Sequence, residues 1–106
     1  MINKTKNSKS KNLTQTARFQ SCIRCGIDCE TRACHYNGLR QHRFGKGRGI
    51  KCHDLATAEF CHSCDEMYSE GSIEFFNGRD DRSERFMFWI VMTNIRRMEN
   101  DILTVR

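Results

Sequence analysis

Two short cysteine motifs decide how this chain can fold: Cys-Ile-Arg-Cys-Gly at 22–26 and Cys-His-Ser-Cys at 61–64. Two residues separate the cysteines of each pair, so each pair can turn tightly and present both sulfurs to one ion. Tetrahedral zinc takes four such ligands at about 2.3 Å. The predicted ligands of a structural Zn²⁺ are therefore Cys22, Cys25, Cys61 and Cys64. Cys52 or His53 could replace one of them.

The composition also favours a metal. The chain has 106 residues, of which 38% are hydrophobic and seven are cysteines, and no secretory signal opens it. So small a core holds a fold only marginally, and a metal is the usual remedy. Paired spacing without a signal favours metal binding over disulfides, which are the alternative. With no apolar run long enough for a membrane span, we expect a cytoplasmic protein without a membrane partner.

The charge distribution predicts a polyanionic partner. The formal net charge is +5, and residues 1–18 and 36–51 both carry cations without a single acid. Lysine and arginine side chains of this kind neutralise nucleic-acid phosphates. The residues predicted to contact nucleic acid lie in the second segment, which is also glycine-rich: Arg40, Arg43, Lys46, Arg48 and Lys51. A mobile surface loop is the alternative for this segment.

The chain divides into three parts. Residues 1–18 are rich in Lys, Asn, Ser and Thr, so we predict a disordered basic tail, with order beginning near Phe19. Residues 19–72 form the zinc module. Residues 73–106 supply a C-terminal helix that packs on the module.

The module reads as strand, loop, strand, zinc turn and helix, which gives a small α+β fold with a zinc-stapled ββα core. Alternation along residues 31–36 places Ala33 and His35 on one face of the first strand, and Cys34 and Tyr36 on the other. Residues 57–60 lead into the second zinc turn. A short helix then runs over residues 65–70, and Gly71 closes it.

The C-terminal helix is predicted from an apolar stripe. Asp81, with Glu84 three residues later, resembles a capping-box start. The stripe follows at spacings of three and four residues, through Phe88, Val91, Ile95, Met98 and Ile102. Phe86, Trp89 and Ile90 widen its first half. Polar residues that include Arg96 and Arg97 occupy the opposite side. We expect the stripe to pack on the zinc module, with a monomer favoured and a homodimer seam as the alternative.

The order of motifs adds a family resemblance. Along residues 20–72 the chain shows Cys-x-x-Cys-Gly at 22–26, Ala-Cys-His at 33–35, a glycine- and lysine-rich loop, Asp-Leu at 54–55 and Cys-x-x-Cys-Asp-Glu at 61–66. This order resembles the zinc-containing HNH (His-Me finger) endonucleases, among them the small YbcO-like nucleases of lambdoid phages and prophages. The resemblance implies a ββα-metal fold and hydrolysis of DNA phosphodiester bonds in a bacterial host, with RNA as the alternative substrate.

By the same resemblance His35 is the general base that activates water, Asp54 orients its imidazole, and Asp65 binds a catalytic divalent ion such as Mg²⁺. A hard cation held by carboxylate oxygen suits a scissile phosphate, and histidine can accept a proton near neutral pH. For His35 the structural alternatives are a packed strand histidine or a zinc ligand together with Cys34. For Asp65 the alternative is a carboxylate that stabilises a helix N-terminus. The functional alternative is a non-catalytic, zinc-ribbon-like module that binds nucleic acid or protein. A catalytically inactive HNH fold is a third.

Overall fold

A two-stranded antiparallel sheet and three α-helices form the fold. The computed structural model describes residues 11–39, 43, 53–70, 76–100 and 102. The elements are α1 (Lys11–Thr16), which continues into a 3₁₀ turn at Ala17–Phe19, β1 (Arg32–His35), β2 (Thr57–Phe60), α2 (His62–Glu70) and α3 (Arg79–Glu99). The predicted α+β class and strand–strand–helix order are confirmed.

Helix α1 lies in the segment that was predicted to be a disordered tail. Leu13 and Ala17, four residues apart on one face of this turn, are both buried, and α1 and the 3₁₀ turn both contact β1. Order in the described chain therefore begins earlier than the predicted boundary at residue 18. Two apolar residues four positions apart are too weak a pattern to predict a helix in so polar a stretch of sequence. Residues 1–10 lie outside the described part.

The register of the sheet fixes which residues share a face. Arg32 pairs with Phe60, and His35 pairs with Thr57. Directly opposed residues of an antiparallel pair project from the same face. One face therefore carries Ala33, His35, Thr57 and Glu59, and the other carries Arg32, Cys34, Ala58 and Phe60. The predicted alternation of His35 and Cys34 agrees with this arrangement.

An aromatic cluster covers the Cys34 face of the sheet. Phe60 stacks on Tyr68 of α2 at 4.9 Å between ring centroids. Phe86 of α3 lies 5.5 Å from Phe60 and 5.5 Å from Tyr36. Buried aromatic pairs at such distances contribute beyond their area. This cluster therefore joins both long helices to the sheet.

The outer edge of β2 is also covered. The backbone N–H of Glu59 donates to Thr93 Oγ1 of α3 at 3.1 Å, and its carbonyl accepts from the N–H of Ile23 at 2.8 Å. An uncovered strand edge would offer unpaired backbone groups to other chains. Helix α3 and the first cysteine turn thus satisfy both outward-facing backbone groups of Glu59.

Helix α3 packs through a different face from the predicted one. Its buried residues are Ser83, Phe86, Ile90, Thr93 and Arg97. Phe86 and Ile90, which widen the predicted stripe, are buried as expected. Its main line of residues is exposed instead, with Phe88 at 49%, Val91 at 56%, Ile95 at 44% and Met98 at 46%, so the predicted packing of that line on the module is wrong. Polar residues face inward because the edge of β2 needs a hydrogen-bonding side chain and the buried Glu59 needs cations.

The start of α3 also differs from the prediction. The helix begins at Arg79, so Asp81 lies in its first turn, where its carboxylate accepts from the N–H of Asn77 at 3.0 Å. That hydrogen bond and the neighbouring Arg85 lower the pKa of Asp81. A carboxylate in the first turn satisfies a backbone donor and complements the helix dipole.

Candidate metal centre and the histidine–aspartate pair

The first cysteine motif forms a closed turn. The N–H of Gly26 donates to the carbonyl of Cys22 at 2.9 Å, and the N–H of Cys22 donates to the carbonyl of Ile27 at 2.8 Å. Gly26 has a φ of +78°, a conformation that glycine adopts without steric cost. Gly26 therefore lets the chain close the turn that presents Cys22 and Cys25 to the same side.

The second motif lies at the start of α2. Cys61 directly precedes the helix, and Cys64 occupies its first turn. The N–H of Asp65 donates to the carbonyl of Cys61 at 2.9 Å, which continues the helical pattern through the motif. The helix begins at His62, three residues before its predicted start, and it therefore fixes the direction of both sulfurs.

The four predicted sulfurs converge. All four Sγ atoms of Cys22, Cys25, Cys61 and Cys64 lie within 4.8 Å of one another, and those of Cys25 and Cys61 are 3.7 Å apart. A tetrahedron with metal–sulfur bonds of about 2.3 Å has edges of about 3.8 Å. A disulfide would need about 2.05 Å. The donor set and its spacing fit Zn²⁺, so these four cysteines could hold a zinc ion.

The protonation of the thiols also suits a metal. Burial opposes ionisation of Cys22, but hydrogen bonds from the backbone of Cys25, Cys61 and Arg24 lower its pKa to about 6. Burial and the adjacent sulfurs raise the pKa of Cys64. A thiolate is the form that binds zinc. Crowded sulfurs that cannot all ionise together are stabilised as thiolates by a divalent cation.

Arg24 adds positive charge beside the cluster. Its guanidinium Nη1 lies 3.6 Å from Cys64 Sγ. Burial opposes the charge on Arg24, but the nearby Cys64 raises its pKa. Four thiolates around one Zn²⁺ carry a net charge of −2, so a neighbouring arginine offsets part of the excess.

The other described cysteines, Cys29 and Cys34, and His53 do not join this cluster. Within the described residues these four cysteines are the sole group of three or more candidate ligands close enough to share an ion. Cys29 is exposed and Cys34 is buried. His53 Nδ1 accepts from the N–H of Leu55 at 3.1 Å instead. Cys52, the other competing ligand, lies outside the described residues.

A second polar site lies at the far end of the sheet. His35 Nε2 is 2.7 Å from Asp54 Oδ1, and the two side chains are 18% and 7% exposed. Because a carboxylate accepts, this contact selects the neutral tautomer that carries the proton on Nε2 and the lone pair on Nδ1. The structure thus brings together two of the three residues to which the resemblance assigns catalytic roles.

Helix α3 holds the backbone around Asp54. The Thr57 hydroxyl donates to the carbonyl of Asp54 at 2.7 Å, and Arg97 Nη2 donates to that hydroxyl at 2.8 Å. Arg97 Nη1 donates to Asn94 Oδ1 at 2.8 Å, and Asn94 Nδ2 donates to the carbonyl of Leu55 at 2.9 Å. One buried arginine therefore supports two consecutive peptide groups beside the histidine.

A buried ionic network anchors this arginine. Glu59 and Arg97 are fully buried, and Arg97 Nε lies 3.7 Å from Glu59 Oε2. Arg96 Nη2 donates to Glu59 Oε1 at 2.7 Å. Burial lowers the pKa of Arg97, while Glu59 and Asp54 oppose that effect. The carboxylate is thus compensated by two guanidinium groups from one turn of α3.

Sequence reasoning missed this network. Arg97 was assigned to the solvent side of the helix because charged residues rarely lie in cores. One part of the network could have been predicted locally. Thr57 follows Asp54 by three residues, a spacing at which a threonine hydroxyl can donate to the earlier carbonyl. Nothing in the sequence around Arg97 distinguishes it from its exposed neighbours.

Asp65 lies elsewhere than His35. Its carboxylate is 3.7 Å from Arg32 Nη1 and accepts from the Ser69 hydroxyl at 3.2 Å. Burial and the adjacent Asp65 raise the pKa of Cys34. Arg32 and Cys34 share a face of β1 opposite to that of His35, so Asp65 belongs to the Cys34 face. The structure does not bring Asp65 to the His35–Asp54 pair.

The predicted nucleic-acid contacts fall largely outside the described residues. Arg43 is described and exposed. Arg40, Lys46, Arg48 and Lys51 lie outside the described residues. Tyr36, at the start of the basic segment, is described, and its N–H donates to the carbonyl of Ala56 at 2.8 Å. In the sequence the segment begins directly after His35 and ends three residues before Asp54.

Comparison of the chain with protein-family models, with curated proteins and with solved structures finds no match. Among the described helices, none combines the length and the apolar character that a membrane crossing requires.

Proposed function

We propose that this protein is a zinc-stabilised, metal-dependent endonuclease of the HNH (His-Me finger) type, which hydrolyses phosphodiester bonds in DNA. Phage or prophage origin and a cytoplasmic location belong to the same proposal. The observation that carries it is the 2.7 Å contact between His35 and Asp54. It lies on a hairpin whose second strand leads into the four-cysteine cluster.

The histidine has the features of a general base. Asp54 accepts from Nε2, so Nδ1 can take a proton from water as the water oxygen attacks phosphorus. One phosphorus–oxygen ester bond breaks in this step. General-base catalysis of this kind contributes on the order of 10² to 10⁴ in rate. Asp54 acts by holding the imidazole in one orientation and tautomer, and α3 holds Asp54 in place.

The basic segment 36–51 adjoins this histidine in the sequence. It carries five cations and no acid, begins directly after His35 and ends three residues before Asp54. Phosphate contacts from such a segment would supply affinity with little dependence on base sequence. The adjoining segment supports DNA as the substrate, with RNA as the related alternative.

A catalytic divalent ion such as Mg²⁺ would stabilise charge on the phosphate and the leaving oxygen. Asp65 is the protein ligand that the resemblance implies; its side chain is 27% exposed and lies on the Cys34 face, so the nucleic acid would have to bring the ion and His35 to one phosphate. Magnesium is commonly held by one or two carboxylates together with waters and substrate phosphates. A bound nucleic acid would therefore complete the ligand set that Asp65 begins.

A second candidate function rests on the position of Asp65. Asp65 of α2 lies against the face of β1 that carries Arg32 and Cys34, whereas His35 projects from the other face. The chain could therefore instead be a non-catalytic zinc module that binds nucleic acid through its basic segment. Such a module needs the four cysteines and the cations. It has no need of the His35–Asp54 contact.

Plasmid cleavage separates the two functions. Wild-type protein purified with zinc would be incubated with supercoiled DNA, and with RNA in parallel, with Mg²⁺ or Mn²⁺ added or withheld. The test variants are His35→Ala, Asp54→Asn and Asp65→Asn. The controls are His62→Ala, whose histidine is exposed and pairs with Glu66, and Asp28→Asn, whose carboxylate is exposed. Zinc content and circular dichroism check the fold of every variant.

The nuclease predicts cation-dependent nicking that falls by on the order of 10² or more in His35→Ala and is unchanged in both controls. Loss of cleavage in Asp65→Asn, restored by a higher Mn²⁺ concentration, would assign the ion to Asp65. Absence of cleavage by wild type, with retained gel retardation of DNA, would replace the nuclease with the binding module.

A further inference from the structure

Helix α3 presents an apolar face to solvent. Its exposed large hydrophobic residues are Phe88, Val91, Met92, Ile95 and Met98, all between 37% and 56% exposed. They form one contiguous face of a helix of 21 residues. Single exposed hydrophobic residues are ordinary, but a contiguous apolar patch on a small protein marks an interaction surface.

The spacing of this face is that of a helix–helix seam. Phe88, Val91, Ile95 and Met98 follow one another at three, four and three residues, which is the a and d pattern of a heptad. The buried face, from Ser83 to Arg97, has the same spacing on the other side of the helix. Helix α3 therefore has two packing faces, and the module to which it belongs covers the more polar one.

We propose that the exposed face of α3 binds the same face of a second copy of this chain, in an antiparallel, two-fold symmetric dimer. Two-fold pairing lets one surface serve both partners. Four layers then form along the seam. Phe88 of each copy lies opposite Met98 of the other, and Val91 lies opposite Ile95. This interface is independent of the proposed nuclease activity.

The charges at the ends of the face select the antiparallel direction. Arg85 lies one turn before Phe88, Glu99 follows Met98, and both are exposed. In an antiparallel pair Arg85 of one copy is level with Glu99 of the other at both ends of the seam. A parallel pair would instead place arginine beside arginine and glutamate beside glutamate. Such flanking charges set the orientation of paired helices.

Sedimentation equilibrium of the full zinc-loaded chain tests the dimer, with protein concentration varied from micromolar to near-millimolar. We expect the wild-type mass to approach twice the 12.5 kDa of one chain. Ile95→Glu places a charge in the centre of the seam, and dimerisation should become on the order of 30-fold weaker. Because Ile95 is exposed, the variant should keep its circular dichroism and its zinc.

Phe19→Glu is the matched control. Phe19 is 83% exposed and lies outside α3, so its replacement should leave the dimer unchanged. A monomeric wild type across the whole range would overturn the proposal. So would a dimer that survives Ile95→Glu, association lost equally in Phe19→Glu, or a larger oligomer.

A charge exchange tests the direction of pairing. Arg85→Glu and Glu99→Arg should each weaken the dimer, and the double variant should recover the affinity. Arg85 also pairs with Asp81 at 3.0 Å within the helix, so recovery in the double variant is the informative result. A double variant no tighter than the weaker single variant would overturn the antiparallel arrangement.

Discussion

Arg97 Nη2 donates to the hydroxyl of Thr57 at 2.8 Å, and the same hydroxyl donates to the carbonyl of Asp54 at 2.7 Å. A fully buried arginine near the end of the C-terminal helix thus reaches, through one threonine, the backbone of the residue that bonds His35. The C-terminal helix therefore supports the candidate site at the start of β2. The four-cysteine cluster lies at the other end of β2, which leads into Cys61.

Arg97→Met tests this support. The variant keeps an apolar stem but removes the guanidinium, so it leaves the fully buried Glu59 with Arg96 alone. Breaking a buried charge pair from one side typically costs about 3–5 kcal/mol. Denaturant unfolding of the zinc-loaded protein should show a loss of that order. Arg79→Ala, an exposed arginine on the same helix, should change the unfolding free energy by less than about 0.5 kcal/mol. Equal small effects in both variants would show that Arg97 carries no structural role.

Cys25→Ser tests the metal centre. Cys25 is the exposed member of the cluster, so its replacement removes one ligand with little change in packing. We expect the bound zinc to fall well below one ion per chain, and the folded state to weaken with it, because binding energy at a structural zinc site is folding energy. Metal analysis by mass spectrometry and thermal unfolding measure the two effects.

Cys29→Ser is the control for that experiment. Cys29 is exposed, lies four residues after Cys25, and is not part of the cluster. It should retain one zinc ion and the wild-type unfolding temperature. Loss of zinc in Cys29→Ser with retention in Cys25→Ser would exchange the two assignments.

Gly38→Ala tests the start of the basic segment. A Cβ at this position would lie 2.5 Å from the Tyr36 hydroxyl oxygen and 2.7 Å from Ser83 Oγ. Those two hydroxyls hydrogen-bond each other in the core, so neither can move freely. Overpacking of this kind costs about 1–3 kcal/mol. Denaturant unfolding should show that loss, whereas Asn37→Ala, at the exposed neighbouring position, should be close to neutral.

Two isoleucines on one helix test the orientation of α3. Ile90 is 8% exposed and Ile95 is 44% exposed. Ile90→Ala should cost about 2–5 kcal/mol, as for other core truncations. Ile95→Ala should cost far less when unfolding is measured at concentrations where the monomer prevails. The opposite ranking would mean that the line of Phe88, Val91, Ile95 and Met98 packs inward, as the sequence alone suggested.

Much of the zinc site could be read from the sequence because its geometry is local. Two residues between cysteines force a tight turn, and Gly26 supplies the left-handed conformation that the turn requires. The strands were also readable, since alternation over residues 31–36 separates His35 from Cys34. The pairing of His35 with Asp54 was expected from a family resemblance, and nineteen residues of chain separate the two.

The sequence by itself determined the four converging cysteines, the strand–strand–helix order and a long C-terminal helix. The tertiary structure decided which face of that helix is buried, because both faces repeat at the same helical spacing and apolarity pointed to the exposed one. The inward face was selected by the edge of β2 and by the buried carboxylate of Glu59, which need hydrogen bonds and cations. The tertiary structure also placed Asp65 beside Cys34 and away from His35, because these two successive residues of β1 project to opposite faces of the sheet.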